Sequence, residues 1–194
     1  MSNDKQPKIK FSKAFWVANT VELFERAAYY GVFIVITLYL SRILGFNDIQ
    51  AASIAGIFSA CLYLLPTFAG ALADKIGFRN SMLIAFALLT MGYAGLAVFP
   101  TWLESAGLVS YSATTTFTGL LESNLQYGIL PIMALIVCGG AFIKSVISGT
   151  VAKETTPETR AKGFSIFYAM VNIGAFSGKT IVKPLREALG NEGL

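Results

Sequence analysis

The sequence predicts an all-α membrane protein with five transmembrane helices. Of its 194 residues, 55% are hydrophobic and only 13% are charged, whereas soluble domains carry about 25% charged residues. The mean hydropathy is +0.62. Five apolar stretches each approach or exceed the roughly 20 residues that a helix needs to cross a bilayer. Short polar or charged segments separate these stretches, as expected for a multi-pass membrane protein.

The first two predicted spans follow a polar, basic segment over residues 1–14. We expect the first span, residues 15–44, to be retained, because no short apolar region with a small-residue cleavage site is present at this end. A Gly-Phe-Asn-Asp turn comes next, in which Asn47 or Asp48 can cap the following helix. The second span then covers residues 49–73.

The remaining spans are predicted over residues 81–99, 127–152 and 163–182. Pro100 is expected to end the third helix, because proline disrupts the helical hydrogen-bond ladder. Residues 101–125 are rich in serine and threonine, which predicts an extended extracytoplasmic loop or a short interfacial helix. The segment 183–194 is predicted to be a polar tail.

Lysine and arginine residues are concentrated on one side of this predicted topology. Five spans place the amino terminus, the second loop and the fourth loop on the same side of the membrane. That side carries nine of the fifteen lysine and arginine residues, against four on the other side. Cytoplasmic segments carry the excess of positive charge, so we expect a cytoplasmic amino terminus. The membrane itself is expected to be a plasma membrane, namely a bacterial inner membrane.

A charged cluster interrupts the first apolar span. Glu22, Glu25 and Arg26 lie within five residues, although each ionisable group at membrane depth costs a few kcal/mol. On a helical wheel they share about one third of the circumference with Tyr29 and Phe33. Arg26 can form an ion pair with either glutamate, although only Glu22 has the favourable i, i+4 helical spacing. The cluster is a functional site in a wet cavity, a structural ion pair in the interior of the bundle, or the start of a span that lies at the cytoplasmic interface.

Three further polar residues lie within the other spans. Lys144 is too far from either end of the fourth span to reach the surface easily, so it is expected to face a cavity or a carboxylate. Asn172 in the fifth span could join helices by a hydrogen bond or bind a ligand. Tyr63 in the second span could belong to the core or present its hydroxyl to a cavity.

The charged loop after the second span is a candidate conformational latch. Gly70 permits close helix approach, and Asp74 is placed to accept hydrogen bonds from a neighbouring helix and to pair with Arg79. Such a contact can hold one state of a two-state transporter. The alternative is an ordinary positively charged turn.

Four segments, in order, resemble proton-coupled oligopeptide transporters of the major facilitator superfamily. Residues 70–79 resemble the superfamily motif of glycine, three residues, aspartate, lysine or arginine, one residue and glycine. Residues 22–31 resemble the family motif E-x-x-E-R-F-x-Y-Y-G. Lys144 follows a glycine pair, as in the fourth helix of the family, and residues 167–174 resemble its fifth-helix signature. Tyr63 falls where the family has a substrate-pocket tyrosine.

The resemblance implies a proton-driven symporter that takes up di- or tripeptides by alternating access, with protons as the coupling ion and neither a cofactor nor a metal. It implies proton coupling by Glu22, Glu25 and Arg26, substrate binding by Tyr29, Tyr30, Tyr63, Lys144 and Asn172, and a latch formed by Gly70, Asp74, Lys75, Gly77 and Arg79. The five spans would be the first five helices of the amino-terminal six-helix bundle.

Two departures from the family keep other functions open. Phe33 stands where many members have a second arginine for the peptide carboxylate, which favours a superfamily transporter for a non-peptide solute. The superfamily fold has twelve or more helices in two halves with the substrate between them. We therefore expect this chain to need a missing carboxyl-terminal half or a partner chain, or to be a non-transporting half-fold subunit.

Other classes of function are not supported by the sequence. It contains no histidine, no metal-ligand cluster and no pairing of a nucleophile with a base in a plausible site, so we do not expect an enzyme. Its basic residues lie at helix ends, which indicates a membrane surface and not a nucleic acid as the partner of these charges.

Overall fold

The computed structural model describes residues 10–107, 109–111, 117–119 and 124–189. These residues form five α-helices and one short β-hairpin. The helices are α1 (Lys13–Leu38), α2 (Asp48–Ile76), α3 (Phe78–Ser105), α4 (Ile129–Lys153) and α5 (Arg160–Leu189), and the strands are β1 (Val109–Tyr111) and β2 (Phe117–Gly119). A π-helical turn, Tyr39–Ile43, extends α1, and a 3-10 helix, Asn124–Gly128, precedes α4.

The helical membrane fold is confirmed. The helical segments Lys13–Ile43, Asp48–Ile76, Phe78–Ser105 and Asn124–Lys153 are each long and apolar enough to cross a bilayer. Many large apolar side chains on the helices are exposed, as expected of surfaces that face lipid. The chain is therefore a multi-pass membrane protein. The fifth helix is 30 residues long but more polar than the other four, so its membrane crossing stays a prediction.

The position of α5 supports that prediction. Gly163 at its start lies against Phe15 near the start of α1, Gly174 lies against Leu23, and Gly178 lies against Ala27. Contacts thus advance along both helices together, so α5 runs parallel to α1 over most of its length. A helix that accompanies a membrane span in this way occupies the same depth as that span.

The close approach of α1 and α5 depends on small residues. A methyl group at Gly174 would overlap the Leu23 carbonyl, and one at Gly178 would overlap the Ala27 carbonyl. The two glycines are separated by three residues, the spacing that lets membrane helices pack backbone to backbone. The fourth helix lies at the centre of the bundle and contacts each of the other helices.

A one-residue turn joins α2 to α3. Gly77 has φ 86° and ψ 146°, a backbone region open essentially only to glycine. Phe78 then begins α3 and packs against Gly149 of α4, while the Lys153 ammonium lies 3.8 Å from the centre of its ring. The turn therefore fixes the ends of α2 and α3 beside the end of α4.

The prediction that Pro100 ends the third helix is wrong, because α3 continues to Ser105. Proline lacks the N–H that would bond the carbonyl four residues earlier, which here belongs to Leu96. The Tyr39 hydroxyl, in the π-helical turn after α1, donates a hydrogen bond of 2.7 Å to that carbonyl. A neighbouring helix thus satisfies the freed group, which is how membrane helices tolerate proline.

The ends of the predicted segments also differ from the structure. The loop predicted over residues 101–125 contains the end of α3 and the antiparallel β1–β2 pair, in which Ser110 pairs with Thr118. The predicted tail over 183–194 is helical as far as Leu189, because α5 continues through Pro184. Its last residues, and residues 1–9 of the amino-terminal segment, lie outside the described residues.

Replacing Tyr39 with phenylalanine is expected to destabilise the protein by about 1–3 kcal/mol, because the buried Leu96 carbonyl would lose its donor. The measurement is thermal unfolding in detergent. The matched control is Tyr168→Phe, since Tyr168 is 60% exposed and makes no hydrogen bond within the described residues. Equal melting temperatures for the two variants would contradict the assigned role of Tyr39.

Candidate functional site

The centre of the site is a three-residue ion-pair cluster on α1. Arg26 contacts Glu25 through both Nε, at 2.6 Å, and Nη2, at 2.5 Å from the same carboxylate oxygen. Its Nε also lies 3.4 Å from Glu22 Oε1. The sequence allowed Arg26 to pair with either glutamate and gave Glu22 the better helical spacing. The structure contains both ion pairs, and the shorter distances are to Glu25.

The cluster is withdrawn from the surface of the bundle. Glu22, Glu25 and Arg26 are 2%, 7% and 8% exposed. Removing charges from water to this extent is costly unless they are paired. Glu22 is paired at one oxygen only, because its Oε2 has no hydrogen-bond partner within the described part of the chain. Arg26 is therefore within reach of two carboxylates that it holds unequally, so a shift between them needs only a small movement.

Glu25 lies at the junction of three helices. Its carboxylate faces Gly140 of α4, where a methyl group would lie 3.8 Å from Oε1, an ordinary contact distance. A cavity of about 350 Å³ between α1, α3 and α4 reaches the same residue and has a mainly apolar lining that includes Leu89, Tyr93 and Ile143. The Tyr93 hydroxyl is buried without a hydrogen-bond partner in the described residues. The same methyl group at position 140 would come within 2.9 Å of Leu62, so the glycine lets α2 pack closely on α4 beside the carboxylate.

Lys144 enters the site from α4. Its ammonium lies 4.5 Å from the centre of the Tyr63 ring on α2. It is also close enough for its charge to act on both Glu22 and Glu25, but it makes no ion pair within 4.0 Å among the described residues. The fourth-helix lysine thus contacts a tyrosine ring and lies near the acidic cluster, and its predicted role in binding substrate stays a prediction.

Tyrosine rings connect the acidic cluster to Lys144. The Arg26 guanidinium lies over the Tyr29 ring, 5.0 Å from the ring centre. The Tyr29 hydroxyl lies beside Ser59 of α2. Tyr30 follows on the same helix, with its hydroxyl beside that of Tyr63. These contacts bring seven predicted site residues into one connected group: Glu22, Glu25, Arg26, Tyr29, Tyr30, Tyr63 and Lys144.

Asn172 is not joined to this group. It is exposed and makes no hydrogen bond within the described residues, although Gly174 two positions later packs tightly against α1. Its predicted role in binding substrate stays a prediction. Phe33 stacks on Tyr29 with ring centres 5.5 Å apart. An aromatic ring thus stands at the position where the resemblance would place a second arginine.

The latch segment adopts only part of its predicted arrangement. Gly70 lies against Ser145 of α4 at ordinary contact distance, and Gly77 makes the turn. Asp74, Lys75 and Arg79 are exposed. The predicted pairing of Asp74 with Arg79 is wrong for this structure, since neither residue forms an ion pair within the described residues. The two side chains stand on different helices and remain in contact with solvent, which weakens their attraction.

Sequence reasoning missed two residues that the structure adds to the site. Asn19 is completely buried on α1, one turn before Glu22, and its Oδ1 has no hydrogen-bond partner in the described residues. Extending the helical wheel by one turn would have found it. Lys179 on α5 places its ammonium 4.9 Å from the centre of the Tyr30 ring. Only the packing of α5 against α1 reveals that contact.

The site contains no grouping typical of a metal centre. Among the described residues, no three histidine, cysteine, aspartate or glutamate side chains are arranged to hold a metal ion. The polar groups that do converge are two carboxylates, one guanidinium, two ammonium groups and several phenols. This combination can bind a charged solute and exchange protons.

Known proteins with similar sequences are peptide permeases. The chain is 30% identical over 177 residues to dipeptide and tripeptide permease A of Salmonella typhi. It is 29% identical over 176 residues to the protein of the same name from Escherichia coli K12, and 27% identical over 187 residues to that of Yersinia pestis. These matches cover 89–90% of the chain and confirm the resemblance to the peptide transporters.

The matches cover most of this chain but less than one third of each permease. The chain spans 29% of the length of the Salmonella typhi and Escherichia coli permeases and 32% of the Yersinia pestis permease. No protein-family model matches the chain. The similarity therefore concerns one portion of each permease.

Proposed function

We propose that this chain is the amino-terminal part of a proton-coupled symporter that takes up di- and tripeptides across a bacterial inner membrane. The observation that carries the proposal is the buried cluster of Glu22, Glu25 and Arg26, connected through tyrosines to Lys144. Two carboxylates that share one guanidinium can exchange a proton without leaving a bare charge in the membrane. The similarity to named dipeptide and tripeptide permeases supports peptides as the solute.

The charges of the site suggest how proton and peptide are coupled. Glu22, Glu25, Arg26 and Lys144 together carry two negative and two positive charges, so the group is neutral when no ligand is bound. A peptide carboxylate that binds Lys144 leaves the two protein carboxylates with Arg26 as their single cation. Proton binding to Glu22 or Glu25 then removes this local excess of negative charge, and the ligand and the proton are carried through the membrane together.

The tyrosines supply the remaining contacts with the peptide. Tyr29, Tyr30 and Tyr63 present hydroxyl groups and ring faces beside Lys144, which suits the backbone and the amino group of a short peptide. Asn172 is proposed to join them from α5 when the helices move. No cofactor other than the coupling proton is needed, and no enzymatic reaction is proposed.

Alternating access requires a second half that this chain does not supply. We propose that a carboxyl-terminal half closes the cavity, either later in the same gene product or on a partner chain. The exposed side chains of Asp74, Lys75 and Arg79 would then be available to contact that half on the cytoplasmic face. A cytoplasmic amino terminus is proposed from the excess of lysine and arginine on its side.

The proposal is tested by uptake of labelled dialanine into cells expressing the complete gene that encodes this chain. Uptake above that of cells lacking the gene is expected. An excess of unlabelled trialanine should compete with it, because both peptides present an amino group and a carboxylate at the ends of a peptide backbone. Free alanine should not compete. Absence of dialanine uptake would contradict the proposed substrate class.

One observation favours a second candidate, a transporter for a non-peptide anion. Phe33 provides an aromatic surface where a cation would help to bind a peptide carboxylate, and it stacks on Tyr29. In that case labelled nitrate or a labelled small organic acid should be taken up and labelled dialanine should not. Separate uptake measurements with each labelled solute in the same cells distinguish the two candidates.

A further inference from the structure

A second lysine lies beside the two tyrosine rings of the site, Tyr30 and Tyr63. Lys179 on α5 holds its ammonium 4.9 Å from the centre of the Tyr30 ring, and Lys144 on α4 holds its own 4.5 Å from the centre of the Tyr63 ring. The hydroxyl groups of Tyr30 and Tyr63 lie next to each other. Two neighbouring tyrosine rings, one on α1 and one on α2, are therefore each in contact with a lysine ammonium group. The two lysines come from α4 and α5.

The position of Lys179 follows from the packing of α5 on α1. The preceding residue, Gly178, lies against the Ala27 backbone and beside Gly31. This contact brings the α5 backbone so close to α1 that the next side chain can extend over Tyr30. A lysine that only reached for the membrane surface would not need this contact with a ring of the candidate site.

Lys179 has no acidic partner in the described part of the chain. The buried carboxylates of Glu22 and Glu25 are held by Arg26. The contact of the Lys179 ammonium with a tyrosine ring contributes only about 0.5–1 kcal/mol at an exposed position. That is less than a hydrogen-bonded ion pair provides, so the ammonium remains free to bind an anionic group that comes next to Tyr30.

We propose that Lys179 is a recognition residue for the carboxylate of the transported solute. It would provide, from α5, the second cation that Phe33 does not provide from α1. The side chain is exposed and flexible, so it can move from the Tyr30 ring to the solute by rotation of its own bonds. This inference rests on the proposed function, since it names the group of the peptide that the site recognises.

The test measures dialanine uptake by cells expressing the complete gene with Lys179→Gln. We expect KM to rise about tenfold, as for loss of one hydrogen bond to a charged group, with kcat within about twofold of the wild type because the coupling cluster is untouched. Lys179→Arg should keep KM close to the wild-type value. Lys162→Gln, which removes a charge from the exposed first turn of the same helix, is the matched control.

Competition with dialanine amide separates recognition from a structural role. This compound lacks the carboxylate, so the wild type should bind it more weakly than dialanine, and Lys179→Gln should reduce that preference about tenfold. An unchanged KM and preference would show that Lys179 only reaches for the membrane surface. Equal losses for both compounds would show a structural role. Either result would overturn the inference, whereas failure of the wild type to take up dialanine would contradict the proposed function itself.

Discussion

Glu25→Gln is expected to abolish proton-driven dialanine uptake, because an amide side chain, unlike a carboxyl group, does not bind and release a proton under the conditions of transport. Glutamine keeps the size of the side chain and can still accept a hydrogen bond from Arg26, which now contacts this residue at 2.5–2.6 Å. Exchange of labelled for unlabelled dialanine, with no net proton movement, should therefore continue. The measurement compares the two activities in proteoliposomes that contain the complete transporter.

The control for this variant is Glu104→Gln, which changes an exposed carboxylate in the last turn of α3. That variant should retain both activities. Proton-driven uptake by Glu25→Gln at the wild-type rate would remove Glu25 from the coupling group. Loss of exchange as well as uptake would indicate instead that the variant fails to fold or to bind the peptide.

Gly178→Ala is expected to lower the melting temperature of the detergent-purified protein by several degrees. The added methyl group would overlap the Ala27 carbonyl and neighbouring backbone atoms, and these atoms cannot move without separating α5 from α1. Overpacking of this kind costs roughly 1–3 kcal/mol, which corresponds to about 2–4 °C for each kcal/mol in a chain of this size. Because Lys179 adjoins this contact, the variant should also weaken dialanine binding.

Gly56→Ala provides the matched control. Gly56 also lies within a helix, but a methyl group there would meet no atom within 4 Å. Alanine has the higher helix propensity by up to about 1 kcal/mol, so this variant should be as stable as the wild type or slightly more stable. If both alanine variants had the same melting temperature, tight packing of α1 on α5 would be contradicted.

Helical periodicity made the α1 part of the site predictable. Glu22, Arg26, Tyr29 and Phe33 recur every three or four residues, and a helix of any length places such residues on one face. The charge of Lys144 was equally informative, because a cation deep in an apolar span needs a polar environment. The structure places these residues in one group, and their roles in coupling and binding stay predictions.

The details that depend on contacts between helices could not be predicted. Nothing local shows that the hydroxyl of Tyr39 would satisfy the carbonyl freed by Pro100, so the third helix was predicted to end too early. Arg26 contacts Glu25 more closely than Glu22 although the helical spacing favours Glu22, because that spacing contributes only about 0.2–0.5 kcal/mol and does not decide the closer partner. The position of Lys179 beside Tyr30 depends on the packing of Gly178 against Ala27, which the sequence does not show.

In the latch segment, too, the local backbone geometry was predictable and the contact between side chains was not. The sequence predicted a tight turn after α2, and Gly77 makes it with a positive φ of 86°. It also predicted a charge pair between Asp74 and Arg79, which the structure does not contain. Short-range backbone geometry follows from residue type, whereas the partner of an exposed charge depends on which surfaces meet it.

In the proposed mechanism, peptide and proton enter together through the group formed around Glu22, Glu25 and Arg26. The most direct measurement places a pH-sensitive dye inside proteoliposomes containing the complete transporter and adds dialanine outside, with no pH gradient at the start. We predict acidification of the interior at a rate that follows dialanine entry, and none with Glu25→Gln. Entry of dialanine without acidification in the wild type would contradict the claim.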